Sequence, residues 1–179
     1  MKHSVEAREA QLLRAVPDIT GNRTVLYVGA NTKRMEMVGL LSKAGCIIDV
    51  IEIWPRNYEG LRLWNKDHPT FREIVCGDVR EWAKADSHDC VMWWHGPEHV
   101  PKDELGPVLA RLEAAARRIV VLACPSGRVL QGDAYGNPWE AHTNHIYPHD
   151  LRDYGYRINI IGKTDREGSN LIGWKRRRI

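Results

Sequence analysis

Short apolar runs alternate along the chain with stretches in which apolar residues recur every three or four positions. The first pattern is typical of buried strands, and the second of helices packed on a sheet. Five strand and helix units are followed by a further helix and by two strands that a short turn near residues 165–168 connects. This order predicts an α/β fold with a single doubly wound, mostly parallel seven-stranded sheet, helices on both faces and a C-terminal antiparallel hairpin strand.

The same pattern predicts where each element lies. Strands are expected at 24–28, 71–76, 90–95, 119–123, 156–161 and 170–174. A further strand, second in the chain, is expected to begin at residue 47 and to end at Glu52 or Ile53. Helices are expected at 4–16 with Ser4 as the cap, then up to Gly45, and at 55–68, 79–86, 102–116 and 149–155. The helix that ends at Gly45 is expected to bury the face formed by Met35, Val38, Leu41 and Ala44.

Residues 1–179 are predicted to form one domain, because no internal repeat or composition shift divides them. An N-terminal helix and linker occupy 1–20, and a long irregular loop at 125–148 is expected to be functional because it is rich in aromatic and histidine residues. The formal charge of +3 is too small to identify a partner. The basic run 175–178 favours a solvated strand end, with a nucleic-acid contact as the alternative.

Four cysteines lie beside or within apolar runs without the spacing of a zinc site, so buried free thiols are expected. The first residues are too charged for a signal peptide, and no apolar run approaches the length of a membrane span. A cytoplasmic protein without membrane contact is therefore expected. Seven Trp against one Phe is unusual, and some of the indoles are expected to line a pocket.

The stretch from Thr24 to Glu52 predicts a β-α-β unit with a turn at 29–31 and a carboxylate at the tip of its second strand. Ligands bind outside the carboxyl ends of parallel strands, and an acid about 20 residues after the first turn is well placed to hold a ribose. The stretch therefore indicates a nucleoside site. The alternative is an ordinary crossover with a surface Glu52.

Further motifs follow in a fixed order: Gly77-Asp78 after the third strand, Glu98-His99-Val100 after the fourth, Pro125 and Gly127 after the fifth, and the closing hairpin. Over residues 20–179 this order and spacing resemble the class I S-adenosylmethionine-dependent methyltransferases. The resemblance implies a methyltransferase that uses S-adenosylmethionine and releases S-adenosylhomocysteine. One departure is the turn, which has one glycine where the family usually has GxGxG after an acidic residue. A member that keeps the fold without the cofactor, or binds a nucleoside or protein partner, is the alternative.

The resemblance also implies which residues bind the cofactor. The turn would pass under the methionine portion, the acid at the second strand would accept both ribose hydroxyls, and the next two residues would flank the adenine. The acid after the third strand and the backbone N–H that follows it would bind the adenine, and the turn after the fourth strand would lie near the sulfonium. The matching residues are Gly29, Ala30, Asn31, Glu52, Ile53, Trp54, Asp78, Val79, His95 and Gly96.

Methyl transfer needs alignment of an acceptor and, for some acceptors, a base, for which histidine is suited. Candidate catalytic residues are His95, Glu98, His99 and His142, with His95 preferred; Glu98 could instead cap the following helix. The loop residues Tyr135, Trp139, His142, His145 and Tyr147 would suit a small acceptor such as a sugar, phenol or heteroaromatic ring, or could stabilise the loop itself. The spacing of His142 and His145 is weak evidence for a metal pair, and no metal is expected. A nucleic-acid acceptor is the other alternative.

Overall fold

The structure is a computed structural model that describes residues 5–33, 35–82, 84–161 and 169–177. The strands within these ranges are β1 (Thr24–Val28), β2 (Ile47–Glu52), β3 (Phe71–Cys76), β4 (His88–Trp94), β5 (Ala116–Pro125), β6 (Arg157–Ile161) and β7 (Asn170–Arg176). The α-helices are α1 (Val5–Ala15), α2 (Glu36–Lys43), α3 (Pro55–Asp67), α4 (Lys102–Ala115) and α5 (Pro148–Asp153). Single 3-10 turns lie at Ile19–Gly21, Pro97–His99 and Pro138–Glu140.

All seven strands form one sheet in the order β3-β2-β1-β4-β5-β7-β6. The pairs among β1, β2, β3, β4 and β5 are parallel, whereas β7 is antiparallel to both β5 and β6. The closing hairpin therefore inserts its second strand between β5 and β6, second from the edge of the sheet. The predicted fold class is confirmed.

The two faces of the sheet carry separate apolar cores because successive side chains of a strand point to opposite sides. One face packs against α1, α2 and α3 through residues such as Leu12, Leu41 and Leu61. The other face packs against α4 and α5 through residues such as Leu109 and Leu151. With both faces covered, the polar surface that a ligand can reach is left at the strand ends.

Two predictions about helices were wrong. Residues 79–81 and 85–86 form turns instead of a helix. In the first turn the side chain of Asp78 accepts the backbone N–H of Arg80, a local hydrogen bond that competes with helical pairing. In α2 the buried face contains Met37 in addition to Val38 and Leu41, while Ala44 is exposed. A spacing of three residues drifts off one face of a helix that has 3.6 residues per turn.

Cys46, Cys90 and Cys124 are buried free thiols as predicted, but Cys76 at the end of β3 is exposed. The basic run continues β7 and is paired within the chain: Lys175 with Glu113, Arg176 with Asp18 and Arg177 with Asp86. Ser4, the predicted turn at 165–168 and Arg178 lie outside the described residues.

The helices in the described ranges are all too short or too polar to cross a lipid bilayer.

Candidate active site

A cavity of about 340 Å³ opens at the carboxyl ends of β1, β2, β3 and β4. The strand ends supply one wall, and the turn after β4 together with the long loop supplies the other. The cavity is lined by Val28, Gly29, Ile51, Glu52, Ile53, Asn57, Gly77, Asp78, Val79, Arg80, Trp93, His95, Gly96, His99, Val100, Pro101, Asn137, Pro138, Trp139, Glu140, Ala141 and Thr143. Its volume lies within the range of about 300–1,000 Å³ that is typical of small-molecule sites.

The turn after β1 places a backbone against this cavity. Gly29 has a φ of +75°, which glycine adopts without steric cost, and its N–H donates to the carbonyl of Ile51 at 2.9 Å. Ala30 is buried in the core beneath the sheet end. The side chain of Asn31 accepts a hydrogen bond from the backbone N–H of Lys33 at 3.0 Å and so closes the turn. The single-glycine turn is thus ordered by its own hydrogen bonds.

Glu52 is a buried carboxylate at the tip of β2, with 4% of its surface exposed. Its Oε1 accepts hydrogen bonds from the backbone N–H of Trp54 at 2.9 Å and from Nδ2 of Asn57 at 3.5 Å. Burial raises the pKa of Glu52 to about 7, although these two hydrogen bonds favour the ionised form, and nearby Glu140 adds to the rise. Near neutral pH this carboxyl group is therefore divided between its two protonation states.

Asp78, after β3, is held by Arg80. Its Oδ1 accepts the backbone N–H of Arg80 at 2.8 Å, and its Oδ2 accepts Nε and Nη2 of the same guanidinium at 2.8 and 2.6 Å. Burial alone would raise the pKa of Asp78, but the hydrogen bonds from Arg80 outweigh it and hold the pKa below its ordinary value. Arg80 also donates to Glu104 at 3.0 Å and lies over the ring of Trp139, 5.6 Å from its centroid. The guanidinium thus connects the strand ends to the long loop.

The turn after β4 is tightly constrained. His95 has a φ of +54°, an uncommon conformation for a residue with a side chain, and its N–H donates to the carbonyl of Ala123 at 2.8 Å. A Cβ on Gly96 would lie 1.6 Å from Nε1 of the buried Trp93. The indole therefore packs directly on Gly96, and a side chain there would force it to move. His95 is partly exposed and lines the cavity.

Glu98 and His99 follow in the 3-10 turn Pro97–His99. The Glu98 side chain is 2% exposed, its Oε1 lies 3.2 Å from Nδ1 of His95, and its Oε2 has no hydrogen-bond partner within the described residues. It does not cap α4, whose first turn has no side-chain cap. Nδ1 of His99 lies 3.1 Å from the carbonyl oxygen of Ala141. Because a carbonyl only accepts, this nitrogen carries the proton.

The long loop folds back over the cavity and is fastened at several backbone positions. Its two ends meet where the N–H of Gly127 donates to the carbonyl of Ile146 at 2.7 Å. Its middle is fixed because the N–H groups of Thr143 and Asn144 both donate to the carbonyl of Glu98, at 2.9 and 3.1 Å. These bonds place Trp139 and its neighbours along the rim of the cavity.

Solved structures that resemble this arrangement align over nearly the whole chain. Magnesium protoporphyrin IX methyltransferase (ChlM) from Synechocystis PCC 6803, with bound SAH, has a TM-score of 0.68 and 14% identity over 97% of this chain and 82% of that chain. A SAM dependent methyltransferase from Archaeoglobus fulgidus has a TM-score of 0.65 and 20% identity over 97% of this chain and 96% of that chain. Burkholderia thailandensis 1,6-didemethyltoxoflavin-N1-methyltransferase, with bound 1,6-didemethyltoxoflavin and S-adenosylhomocysteine, has a TM-score of 0.69 and 13% identity over 99% of this chain and 80% of that chain. The chain has the fold of the S-adenosylmethionine-dependent methyltransferases.

No protein-family model matches the sequence, and no curated protein does either. Because the sequence identities are low, these alignments show that the chain shares the fold and nothing more specific.

In this methyltransferase fold, most of the predicted cofactor residues come together at the cavity. The residues that line it are Gly29, Glu52, Ile53, Asp78, Val79, His95 and Gly96. Ala30, Asn31 and Trp54 do not line it: the first packs in the core, the second closes its own turn, and the third precedes α3 and donates its N–H to Glu52.

The predicted catalytic and substrate residues are divided. His95, His99 and Trp139 line the cavity. Glu98 and His142 do not line it, and Nδ1 of His142 donates to the carbonyl of Val129 at 2.7 Å.

Three substrate predictions fall elsewhere. Tyr135 is 75% exposed in a turn and lies beneath Nζ of Lys33, which is 4.4 Å from its ring centroid. Tyr147 precedes α5 and stacks on His149, and His145 is partly buried away from the cavity lining. These three side chains are not part of the cavity lining.

Four residues at the site were not foreseen from the sequence. Asn57 holds Glu52, Arg80 holds Asp78, Trp93 packs on Gly96, and Asn137 accepts the N–H of Trp139 at 3.0 Å. Two of them have a sequence signal: Arg80 comes two residues after the acid that follows β3, and Asn137 directly precedes Pro138.

Proposed function

We propose that the protein is an S-adenosylmethionine-dependent methyltransferase that acts on a small-molecule acceptor. The observation that carries this proposal is the buried carboxylate of Glu52, which lines a cavity of small-molecule size at the strand ends of a methyltransferase fold. A buried carboxyl group with a raised pKa has a cost in stability, and such groups cluster at functional sites.

The residues at the cavity fit the cofactor. Glu52 would accept the ribose hydroxyls, because a carboxylate offers two acceptor oxygens and only Oε1 takes the bonds from Trp54 and Asn57. Asp78 would accept the adenine amino group through Oδ1, since this oxygen takes only the backbone N–H of Arg80 and can accept one more hydrogen bond. The backbone at Gly29, which has no side chain to obstruct it, would face the methionine portion.

When bound, the cofactor supplies a methyl group on a positively charged sulfur that a nucleophile displaces. The chain must orient the acceptor, exclude water and remove a proton where the acceptor carries one. His95 is the candidate base because its ring is partly exposed at the cavity, and the φ of its backbone turn fixes where the ring begins. Trp93 and Trp139 supply apolar walls that exclude water.

A sugar, a phenol or a heteroaromatic ring is the proposed class of acceptor. Two of the similar proteins are named for small-molecule acceptors, magnesium protoporphyrin IX and 1,6-didemethyltoxoflavin. The aromatic rim formed by Trp139 would suit a flat ring.

A nucleic-acid acceptor bound through the basic C-terminus is less well supported. Lys175, Arg176 and Arg177 each pair with an acid of the same chain. In the sheet, Arg176 is opposite Ile119, near the amino end of β5, whereas the cavity is at the carboxyl ends of the strands.

Binding of S-adenosylhomocysteine tests the cofactor assignment. A ligand at 100 times its Kd stabilises the folded state by about 2.7 kcal/mol, so millimolar ligand should raise the Tm by several degrees. Glu52→Ala is expected to abolish the shift, and Glu59→Ala, an exposed acid on α3, to retain it. If the unmodified chain shows no shift, the cofactor assignment fails and the non-catalytic alternative stands.

The role of His95 is tested by activity. Transfer of labelled methyl from S-adenosylmethionine would be followed with a panel of sugars, phenols and heteroaromatic compounds. We expect His95→Ala to lose turnover by about 10²-fold or more, as for a general base, with S-adenosylhomocysteine affinity retained. Unchanged turnover would remove His95 from the catalytic residues.

A further inference from the structure

Three potential metal ligands from two separate parts of the chain meet beside the cavity. Glu98 and His99 come from the 3-10 turn after β4, and His142 comes from the long loop. One ligand atom of each residue lies within 4.8 Å of the other two, and Nε2 of His99 is 3.9 Å from Oε1 of Glu98. The rings of His99 and His142 are edge to face, with centroids 5.2 Å apart.

Both histidines are oriented as metal ligands are. Nδ1 of His99 donates to the carbonyl of Ala141, and Nδ1 of His142 donates to the carbonyl of Val129. In the neutral imidazole the proton on Nδ1 leaves a lone pair on Nε2. A hydrogen bond from the second ring nitrogen to a backbone carbonyl is the usual way in which proteins fix the tautomer and the ring orientation of a metal-binding histidine.

The carboxylate supplies an independent observation. Glu98 is almost fully buried, and its Oε2 has no hydrogen-bond partner among the described residues. An unpaired buried carboxylate oxygen is costly, so buried charges are normally paired or bound to a metal. The other oxygen, Oε1, lies 3.2 Å from Nδ1 of His95 and 3.9 Å from Nε2 of His99, so the carboxylate faces His99 while its acceptor sites are only partly used.

The backbone brings these side chains together before any ligand binds. The carbonyl of Glu98 accepts the N–H groups of Thr143 and Asn144, the two residues that follow His142. The N–H of His142 itself donates to the carbonyl of Gln131 at 2.9 Å. The loop cannot carry His142 away from Glu98 without breaking these bonds.

We propose that Glu98, His99 and His142 bind one divalent transition-metal ion beside the cavity. Two imidazoles and one carboxylate favour Zn²⁺, Fe²⁺, Co²⁺ or Mn²⁺ over Mg²⁺ and Ca²⁺, which prefer oxygen ligands. Around tetrahedral Zn²⁺ with bonds of about 2.0–2.1 Å, ligand atoms lie about 3.3 Å apart. Binding would therefore draw the three side chains closer together. Because His99 also lines the cavity, the free coordination positions would be available to an acceptor oxygen or nitrogen.

The spacing of His142 and His145 did not predict this site, because its other ligands lie more than 40 residues earlier in the sequence. The site also differs from an HxxH pair in a testable way: His145 is not a member of the cluster.

The test measures metal binding directly and needs neither acceptor nor S-adenosylmethionine. The full chain, without a polyhistidine tag, is stripped with a chelator and titrated with Zn²⁺ by calorimetry, and with Co²⁺ by visible absorption. We expect one equivalent to bind with micromolar or tighter Kd. Glu98→Gln and His142→Gln should each weaken binding at least tenfold. His145→Gln and His149→Gln should leave it within about twofold, because both side chains lie outside the cluster.

Tm measurements on the metal-free variants identify any that fail to fold. If either Glu98→Gln or His142→Gln does not fold, the metal affinity of the other variant tests the proposal. Absence of stoichiometric binding to the unmodified chain, or equal affinity in the Glu98→Gln and His142→Gln variants, would overturn the proposal. Weaker binding only in the His145→Gln variant would also overturn it in favour of the HxxH pair.

Discussion

Arg80 binds both oxygens of Asp78 and lies at the same time over the ring of Trp139. The first contact fixes the carboxylate at the end of β3, and the second joins it to the loop that forms the opposite rim. One guanidinium therefore orients a proposed adenine ligand and holds the rim near it.

Loss of Arg80 should therefore weaken cofactor binding. We expect Arg80→Ala to reduce S-adenosylhomocysteine affinity about tenfold, because the loss of a charged hydrogen-bond partner costs about 1.5–3 kcal/mol, only part of which the ligand feels. Calorimetric titration measures the change. Arg56→Ala is the matched control, since Arg56 lies over Trp54, 5.7 Å from its ring centroid, but does not line the cavity. Equal effects of the two substitutions would contradict the assigned role of Arg80.

Glu52→Gln should stabilise the protein at high pH. The pKa of Glu52 is about 7 in the folded protein against an ordinary value of 4.5, so the folded state binds the proton more tightly than the unfolded state. The contribution of this carboxyl group is present in full below pH 4.5 and is lost as pH rises through 7, at a cost of about 3 kcal/mol. The amide avoids that cost. Urea unfolding should show a gain of about 1–3 kcal/mol at pH 8 and little difference at pH 5.

The matched control for this experiment is Glu59→Gln. Glu59 is an exposed acid of α3 that pairs with Arg62 at 3.6 Å. Its substitution should change the free energy of unfolding by less than about 1 kcal/mol at either pH. A pH-independent effect of Glu52→Gln would show that the carboxyl group titrates normally.

The affinity for S-adenosylhomocysteine should rise with pH. Ribose hydroxyls would donate to Glu52, so binding favours its ionised form, whose fraction increases through the pKa of about 7. From pH 6 to pH 8 that fraction grows about tenfold, and the apparent Kd should fall by the same factor. Binding near pH 7 should also release protons, which calorimetry in buffers of different ionisation enthalpy detects. In the Glu52→Gln variant, S-adenosylhomocysteine should bind more weakly and its affinity should not change with pH. A pH dependence that persists in this variant would instead come from the ligand's own amino group.

The sequence was sufficient for the parts of the site that local pattern determines. Glu52 and Asp78 each end or follow a short apolar strand, and parallel strands bring their carboxyl ends to one edge, so their proximity could be predicted. The insertion of β7 between β5 and β6 was seen only in the structure, but a closing hairpin with an antiparallel strand at or near an edge of the sheet was predicted. These features depend on the period of apolar residues and on chain topology.

The wall formed by the long loop could not be predicted. Its position depends on bonds such as Thr143 N–H to the carbonyl of Glu98, which join backbone groups and leave no mark in the side-chain pattern. For the same reason the sequence did not show that Tyr135 and Tyr147 are absent from the cavity lining, and the meeting of His142 with Glu98 was missed.

Gly96 and Gly29 should respond differently to a methyl group. Gly96 has a φ of −134°, which any residue adopts, but a Cβ there would lie 1.6 Å from the buried indole of Trp93. Gly29 has a φ of +75° and no atom within 4 Å of the added Cβ. We therefore expect Gly29→Ala to cost about 1–2 kcal/mol of backbone strain, and Gly96→Ala to cost about 3 kcal/mol or more because Trp93 must leave its packed position. Urea unfolding gives both values. Combining Gly96→Ala with Trp93→Leu should recover part of the loss, whereas combining Gly29→Ala with Trp93→Leu should only add the two costs. If Trp93→Leu fails to relieve Gly96→Ala, the overlap with the indole is not its cause.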